Sequence, residues 1–225
     1  MAVVSHRVWR VRAMGVSLLA LQALCAPAAV ANIFTLDFEG LRDLEAIEEF
    51  YNGGFGSLGS GPGPSFGVEF VGNTLAVVDA DAGGTGNFAN EITPSTVMFF
   101  LSGSATIMNI RAGFENAFSL YYSSIDAEAA FSIFDGLNGE GNLLATEFLT
   151  PLGTEPDAGD PNGEFNRWSL KGTAFAGMAR SVVFSGEANR IVFDNVVFGD
   201  IPAPGGVAAG ALVAMAAGLR PRRRA

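Results

Sequence analysis

The sequence predicts an all-β domain, an antiparallel β-sandwich of jelly-roll type, and three observations predict it. Short runs rich in Phe, Val, Ile and Tyr recur along the chain, some alternating with period two and others continuously apolar. Gly, Asn, Asp or Pro separates these runs, and no long helical spacer lies between them. Nineteen phenylalanines against two tryptophans supply the aromatic bulk that fills the space between two sheets.

The elements follow in order. From Ile33 to Glu39, Phe34, Leu36 and Phe38 alternate with Thr35, Asp37 and Glu39, the pattern of a half-buried strand. Leu41, Leu44 and Ile47 are spaced helically, so 41–51 is expected to hold one short helix. Residues 53–67 are dense in Gly, Ser and Pro and read as a long loop. Strands are then expected at 67–70, 74–78, 96–101, 105–112, 117–122, 129–134, 142–149, 166–174, 181–184 and 191–198. The run from Asp135 to Gly141 carries Asp-Gly and Asn-Gly pairs that tolerate positive φ, the chemistry of a hairpin connection. The acidic stretch 153–164 reads as a surface excursion.

Both ends look like processing segments. Arg7, Arg10 and Arg12 precede an apolar run from Ala13 to Leu24, and small residues follow through Ala31. This is the order of a signal peptide, with Ala29-Val30-Ala31 as the cleavage site and signal peptidase as the partner. At the other end, Pro202-Ala203-Pro204 leads into an apolar Gly/Ala-rich span from Gly205 to Leu219, then Arg220, Arg222, Arg223 and Arg224. As a helix, that span reaches about 22 Å, short of a hydrocarbon core of about 30 Å. It is expected to be a weak, provisional membrane anchor suited to being cut, with its arginines on the cytoplasmic side; a plain C-terminal anchor that stays attached is the alternative. The expected organisation is a signal helix over 1–31, a sandwich over 32–200 and a hydrophobic helical tail over 201–225.

Between the ends lie all 23 acidic residues and only six basic ones, Arg42, Arg111, Arg167, Lys171, Arg180 and Arg190, a net charge of −17. Such a charge repels phosphate backbones, so no nucleic acid is expected as a partner. His6 and Cys25 both fall in the leader. The domain therefore has neither the Ser-His or Cys-His apparatus of most hydrolases nor the usual zinc ligands. Carboxylate pairs remain, which a glycosidase can use, but no motif singles one out. Gly54-Phe55-Gly56-Ser57-Leu58-Gly59 matches a dinucleotide fingerprint formally, yet Ser60-Gly61-Pro62-Gly63-Pro64 follows where a helix must open. The chain is read as no enzyme.

Calcium is the one cofactor the residues point to, since it takes oxygen ligands from carboxylates, amides and carbonyls. Asp79, Asp81 and Asn87 alternate oxygen donors with Gly and Ala over 79–87. The twelfth position is Asn90, with Glu91 one late, so this is no EF-hand; a looser calcium loop and a plain acidic turn both stay open. A second set joins the ends of the domain. If first and last strands pair, Glu39 and Asp194 approach each other, with Asn52 or Asn195 nearby, and a calcium ion relieves their repulsion.

With the tail parts Pro202, Pro204, Arg222, Arg223 and Arg224 in view, the chain resembles the PEP-CTERM family of exported bacterial proteins. Ala203 departs from that family's usual Glu. The stretches Asp37-Phe38-Glu39-Gly40-Leu41, Phe50-Tyr51-Asn52-Gly53-Gly54 and Phe193-Asp194-Asn195-Val196 are similar to those of its jelly-roll-like cargo domains. The resemblance implies a membrane protease of the exosortase type as the partner that removes the tail. It also implies export in a Gram-negative-type bacterium to the cell surface, outer membrane or extracellular matrix. The expected function is a non-enzymatic surface or exopolysaccharide-matrix protein that binds carbohydrate or is structural, with Tyr51, Tyr121, Tyr122 and Trp168 as the available stacking side chains. A purely structural surface protein and a carboxylate-based glycosidase are the rivals.

Overall fold

The computed structural model describes residues 33–156 and 163–200. The leader, the tail and the sorting residues Pro202, Pro204 and Arg222–Arg224 lie outside the described residues. Among the described residues eleven strands are formed: β1 (Ile33–Leu36), β2 (Val68–Val71), β3 (Thr74–Val78), β4 (Thr96–Phe100), β5 (Ala105–Phe114), β6 (Asn116–Ser124), β7 (Ala129–Phe134), β8 (Leu143–Leu149), β9 (Ser169–Ala174), β10 (Ala179–Gly186) and β11 (Ile191–Asp200). They make two antiparallel sheets. One runs β3-β4-β11-β6-β9, with β1 also on β11; the other runs β2-β5-β10-β7-β8. From β4 onward almost every connection crosses between the sheets, β7–β8 being the exception. This is the jelly-roll mode of winding.

The sheets meet through phenylalanines. Phe118 of β6 faces Phe131 of β7 across the core at 5.0 Å between ring centroids. Phe184 of β10 meets Phe193 of β11 at 5.2 Å, and Phe114 of β5 meets Phe198 at 5.4 Å. Strand β7 alternates buried and half-buried residues, as one-sided packing requires. Strand β4 is buried throughout: Met98 and Phe100 face the main core, while Val97 and Phe99 enter a second cluster with Val77, Phe88, Phe165 and Val192. Loops thus cover the outer face of the six-stranded sheet at this end. The unbroken apolar run 97–101 encodes that double burial.

The expected helix over 41–51 does not form, and no α-helix occurs among the described residues. Leu44 and Glu48 have positive φ, and the segment spends its backbone groups on the two sheet edges instead. Ile47 N–H donates to Thr74 O at 3.1 Å and Ala76 N–H to Glu45 O at 2.8 Å, which covers β3. Phe70 N–H donates to Glu48 O at 2.9 Å, which covers β2. Tertiary edge pairing, a form of edge protection, outweighs the helical spacing.

Glu45 fastens the loop that follows. Its carboxylate is fully buried and accepts from Arg42 N–H at 2.7 Å, Leu58 N–H at 2.7 Å and Ser60 N–H at 3.0 Å. Burial pushes the carboxyl up, but the donors, led by Ser60 and Arg42, outweigh it and hold it below its ordinary value. Gly56 is required beside it, since a Cβ there would stand 2.6 Å from Glu45 Oε1. The formal G-x-G-x-x-G is a wrap around a carboxylate. Replacing Glu45→Ala leaves three buried or half-buried donors without their acceptor and is expected to cost about 2–3 kcal/mol in urea unfolding; an unchanged midpoint would refute this role.

Candidate functional site

Two arrangements stand at the six-stranded sheet. The first is built where the chain's first and last strands meet. Strand β1 pairs antiparallel with β11, from Ile33 opposite Gly199 to Leu36 opposite Val196. The ladder of β11 with β6 shifts register between Asp194 and Val197, and Asn195 takes positive φ. That bulge turns Asp194 toward the loop before β4. There its Oδ2 accepts from Thr93 N–H at 2.9 Å and its Oδ1 from Thr93 Oγ1 at 2.8 Å and Asn195 N–H at 2.7 Å. Glu39, just past β1, accepts from Thr96 N–H at 2.9 Å. Tyr51 joins the cluster: its hydroxyl accepts from Phe38 N–H at 2.6 Å and donates to Asp37 Oδ1 at 3.4 Å.

The electrostatics follow from burial. Asp194 has no exposed surface. Burial, opposed by the Thr93 and Asn195 donors and helped by the charge of Glu39, pushes its carboxyl from 3.8 up to about 7. Burial also raises Glu39, partly offset by Thr96 N–H and aided by the charge of Asp37. Burial and then the Asp37 carboxylate raise the Tyr51 hydroxyl. Glu39 and Asp194 are thus brought together, as strand pairing implies, with Asn195 beside them. Asn52 instead is exposed and donates to Glu49 at 2.8 Å.

The other calcium candidates are not gathered in the same way. Asp79 is buried and its Oδ1 accepts Ala80 N–H at 2.7 Å. Asp81 and Asn87 are exposed, and Asn87 donates to Glu164 at 3.2 Å. Backbone bonds close the turn itself: Gly84 N–H to Asp79 O and Gly86 N–H to Val78 O, both 2.8 Å. Among the described residues no group of three or more His, Cys, Asp or Glu is placed to hold a metal. Glu39 and Asp194 are two carboxylates, and Asp37, whose charge bears on Glu39, does not complete a set of three with them.

The second arrangement is a cleft of about 160 Å³ beside the second apolar cluster. Phe88, Phe99 and Phe165 form its floor with Val77 and Val192, and Leu44 and Leu101 flank it. Both leucines are about half exposed, at 47% and 51%, so the cleft opens to solvent. Thr85, Asn87 and Asn189 supply its polar groups. No Asp or Glu lines it, so the facing acids of a glycosidase are not found in this cleft.

The expected stacking residues lie elsewhere. Tyr51 and Tyr122 are core residues, 1% and 0% exposed, because each sits at an inward position and hydrogen-bonds its hydroxyl inside, Tyr122 to Thr150 O at 2.8 Å. Trp168 is half-buried against the second cluster, its Nε1–H on Ala89 O at 3.0 Å. Tyr121 is half-buried on β6. Sequence reasoning missed Thr93, Phe88 and Phe165. Thr93 stands 101 residues from Asp194, and nothing local marks it; Phe88 and Phe165 sit in loops whose parallel bridge no periodicity encodes.

The described residues therefore form an antiparallel two-sheet sandwich of jelly-roll type, with the cleft beside β4. No family model matches the chain, and no curated protein matches it. Among solved structures it is similar to the K2 cleaved adhesin domain of Lys-gingipain, at 14% identity and a TM-score of 0.47 over 74% of this chain and 97% of that chain. It is also similar to the family 11 carbohydrate-binding module from Clostridium thermocellum, solved with a β-1,3-1,4-mixed-linked tetrasaccharide, at 14% identity and a TM-score of 0.36 over 76% of this chain and 96% of that chain. Both likenesses are of fold.

Proposed function

We propose that the domain is a non-catalytic carbohydrate-binding component of the cell surface or extracellular matrix, and that the phenylalanine-floored cleft takes one sugar ring. The observation that carries this reading is the make-up of the cleft. A sugar ring has apolar C–H faces and polar edges, and the cleft offers aromatic and aliphatic walls below amide and hydroxyl groups. Its size fits one ring: a cavity of about 150 Å³ holds a single benzene. A glycan array followed by calorimetry tests it. Binding is expected, and Asn87→Ala with Leu101→Asp is expected to weaken it at least tenfold; silence across neutral and acidic polysaccharides would overturn the reading.

The proposal includes export, supported by the basic-apolar-small order of residues 7–31 and by the tripartite tail. Signal peptidase and an exosortase-type protease are its processing partners, and the exopolysaccharide matrix of a Gram-negative-type bacterium its setting. The intact mass of the protein from its native cell tests this, since both cuts remove defined residues. The proposal further places calcium at Glu39 and Asp194. Two raised carboxyls held near each other, with the hydroxyls of Thr93, Ser95 and Thr96 beside them, suit a hard cation that takes oxygen ligands. Calcium is expected to raise the melting midpoint at neutral pH and chelator to lower it; an unchanged midpoint would remove the ion.

A further inference from the structure

The polar groups of the cleft are backed by negative charge. Thr85 Oγ1 donates to Asp43 Oδ2 at 2.9 Å, and Asp43 Oδ1 also accepts Val78 N–H at 3.0 Å. Asn87 donates one of its amide hydrogens to Glu164 Oε2 at 3.2 Å. With the Thr85 proton committed to Asp43, its oxygen can only accept from a ligand. Asn87 keeps its carbonyl oxygen and one N–H, and the exposed Asn189 also lines the cleft. No Lys or Arg lines the cleft. The nearest basic residues along the chain are engaged elsewhere: Arg190 pairs with Asp126, Arg42 donates to Leu58 O at 2.6 Å, and Arg167 donates to Leu152 O at 3.3 Å with Glu155 4.0 Å away.

These contacts fix the sign of the site. Two carboxylates stand directly behind its hydrogen-bonding groups, in a domain whose six basic residues face 23 acidic ones. An approaching anion meets negative potential and has only the remaining amide N–H groups to bond it, whereas an ammonium gains from the potential and from the hydroxyl and carbonyl acceptors. The room for a single ring, between half-exposed leucines, suits the end of a chain better than its middle, because an internal ring would need exits on two sides for its neighbours.

We infer that the cleft selects a terminal amino sugar bearing a free ammonium, takes neutral terminal sugars less tightly, and rejects uronates. This inference rests on the carbohydrate reading of the cleft and adds its ligand class. Each carboxylate contributes a screened Coulomb attraction to the ammonium, acting through the Thr85 or Asn87 side chain it holds. The ammonium is therefore expected to tighten binding severalfold over the neutral sugar, and salt is expected to erode that margin.

The test is calorimetry on the full chain with three probes: an oligoglucosamine, its fully N-acetylated form, and an oligogalacturonate. Affinity is expected to fall in that order, with no heat from the third. Glu164→Gln, an exposed position, is expected to lower oligoglucosamine affinity severalfold and leave the N-acetylated probe unchanged. Asp43→Asn repeats the test from the other carboxylate: because it also changes the group that holds the Thr85 hydroxyl, the quantity read is the margin of the oligoglucosamine over the N-acetylated probe, which is expected to shrink. Galacturonate binding as tight as the others, or an oligoglucosamine margin that survives both substitutions, would overturn the inference and leave the carbohydrate reading standing. Silence with all three probes and on the glycan array would overturn both.

Discussion

With chelator present, the protein is expected to lose stability as pH rises from about 4 to about 8, and Asp194→Asn is expected to abolish most of that loss. The folded state holds the Asp194 proton far more tightly than the unfolded chain, with the carboxyl near 7 instead of 3.8. Protonation therefore favours folding. The advantage is complete below the unfolded value and is lost as pH climbs through the folded one. About three pK units correspond to roughly 4 kcal/mol, a large share of the 5–15 kcal/mol that holds an ordinary domain. Glu39, also raised, adds in the same direction. The measurement is urea unfolding of both proteins across the pH range. Parallel profiles would mean that Asp194 titrates normally. Asparagine cannot accept all the bonds that Thr93 and Asn195 give, so the variant is expected to be weaker at acid pH; the informative quantity is the difference in slope. If calcium occupies the pair, adding it restores the lost stability at neutral pH and leaves the acid limb unchanged.

The second large effect belongs to the phenylalanine core. Phe118 has no exposed surface and touches Phe131 at 5.0 Å, Phe114 at 6.2 Å and Phe184 at 6.2 Å, so its ring joins both sheets. Phe118→Ala removes the apolar burial, the edge contacts and the filling of the interlayer space together, an expected loss of about 3–5 kcal/mol. For a domain of this size that lowers the melting midpoint by roughly 10 °C. Phe148→Ala is the matched control. Its ring is 73% exposed on β8, and the expected change stays within about 0.5 kcal/mol. Equal effects at the two positions would mean that the sheets are not packed through Phe118.

Local readings succeeded where a strand's own residues decide its fate. The expected runs at 74–78 and 129–134 match β3 and β7 to the residue, because alternation and β-branched or aromatic side chains are properties of the segment itself. The hairpin over 135–141 also forms, with Asn138 at positive φ beside a short 3-10 turn. The helix expected over 41–51 failed for the opposite reason. Its outcome depends on two sheet edges contributed by residues further along the chain, and their exposed backbone groups compete for the same N–H and C=O groups. Tyr51 and Tyr122 were available stackers by residue type alone, and burial removed them.

The sequence by itself determined that the domain is all-β, acidic and without histidine or cysteine, and that Glu39 and Asp194 meet if the end strands pair. Only the tertiary structure decided that those strands do pair, that Thr93 and a bulge bury Asp194, and that loops from two distant parts of the chain wall a cleft over β4. The physical reason is range. Composition and periodicity report on neighbours within a few residues, whereas burial, bulges and carboxylate pairing are set by partners separated by up to 101 positions, whose approach depends on how the two sheets are wound.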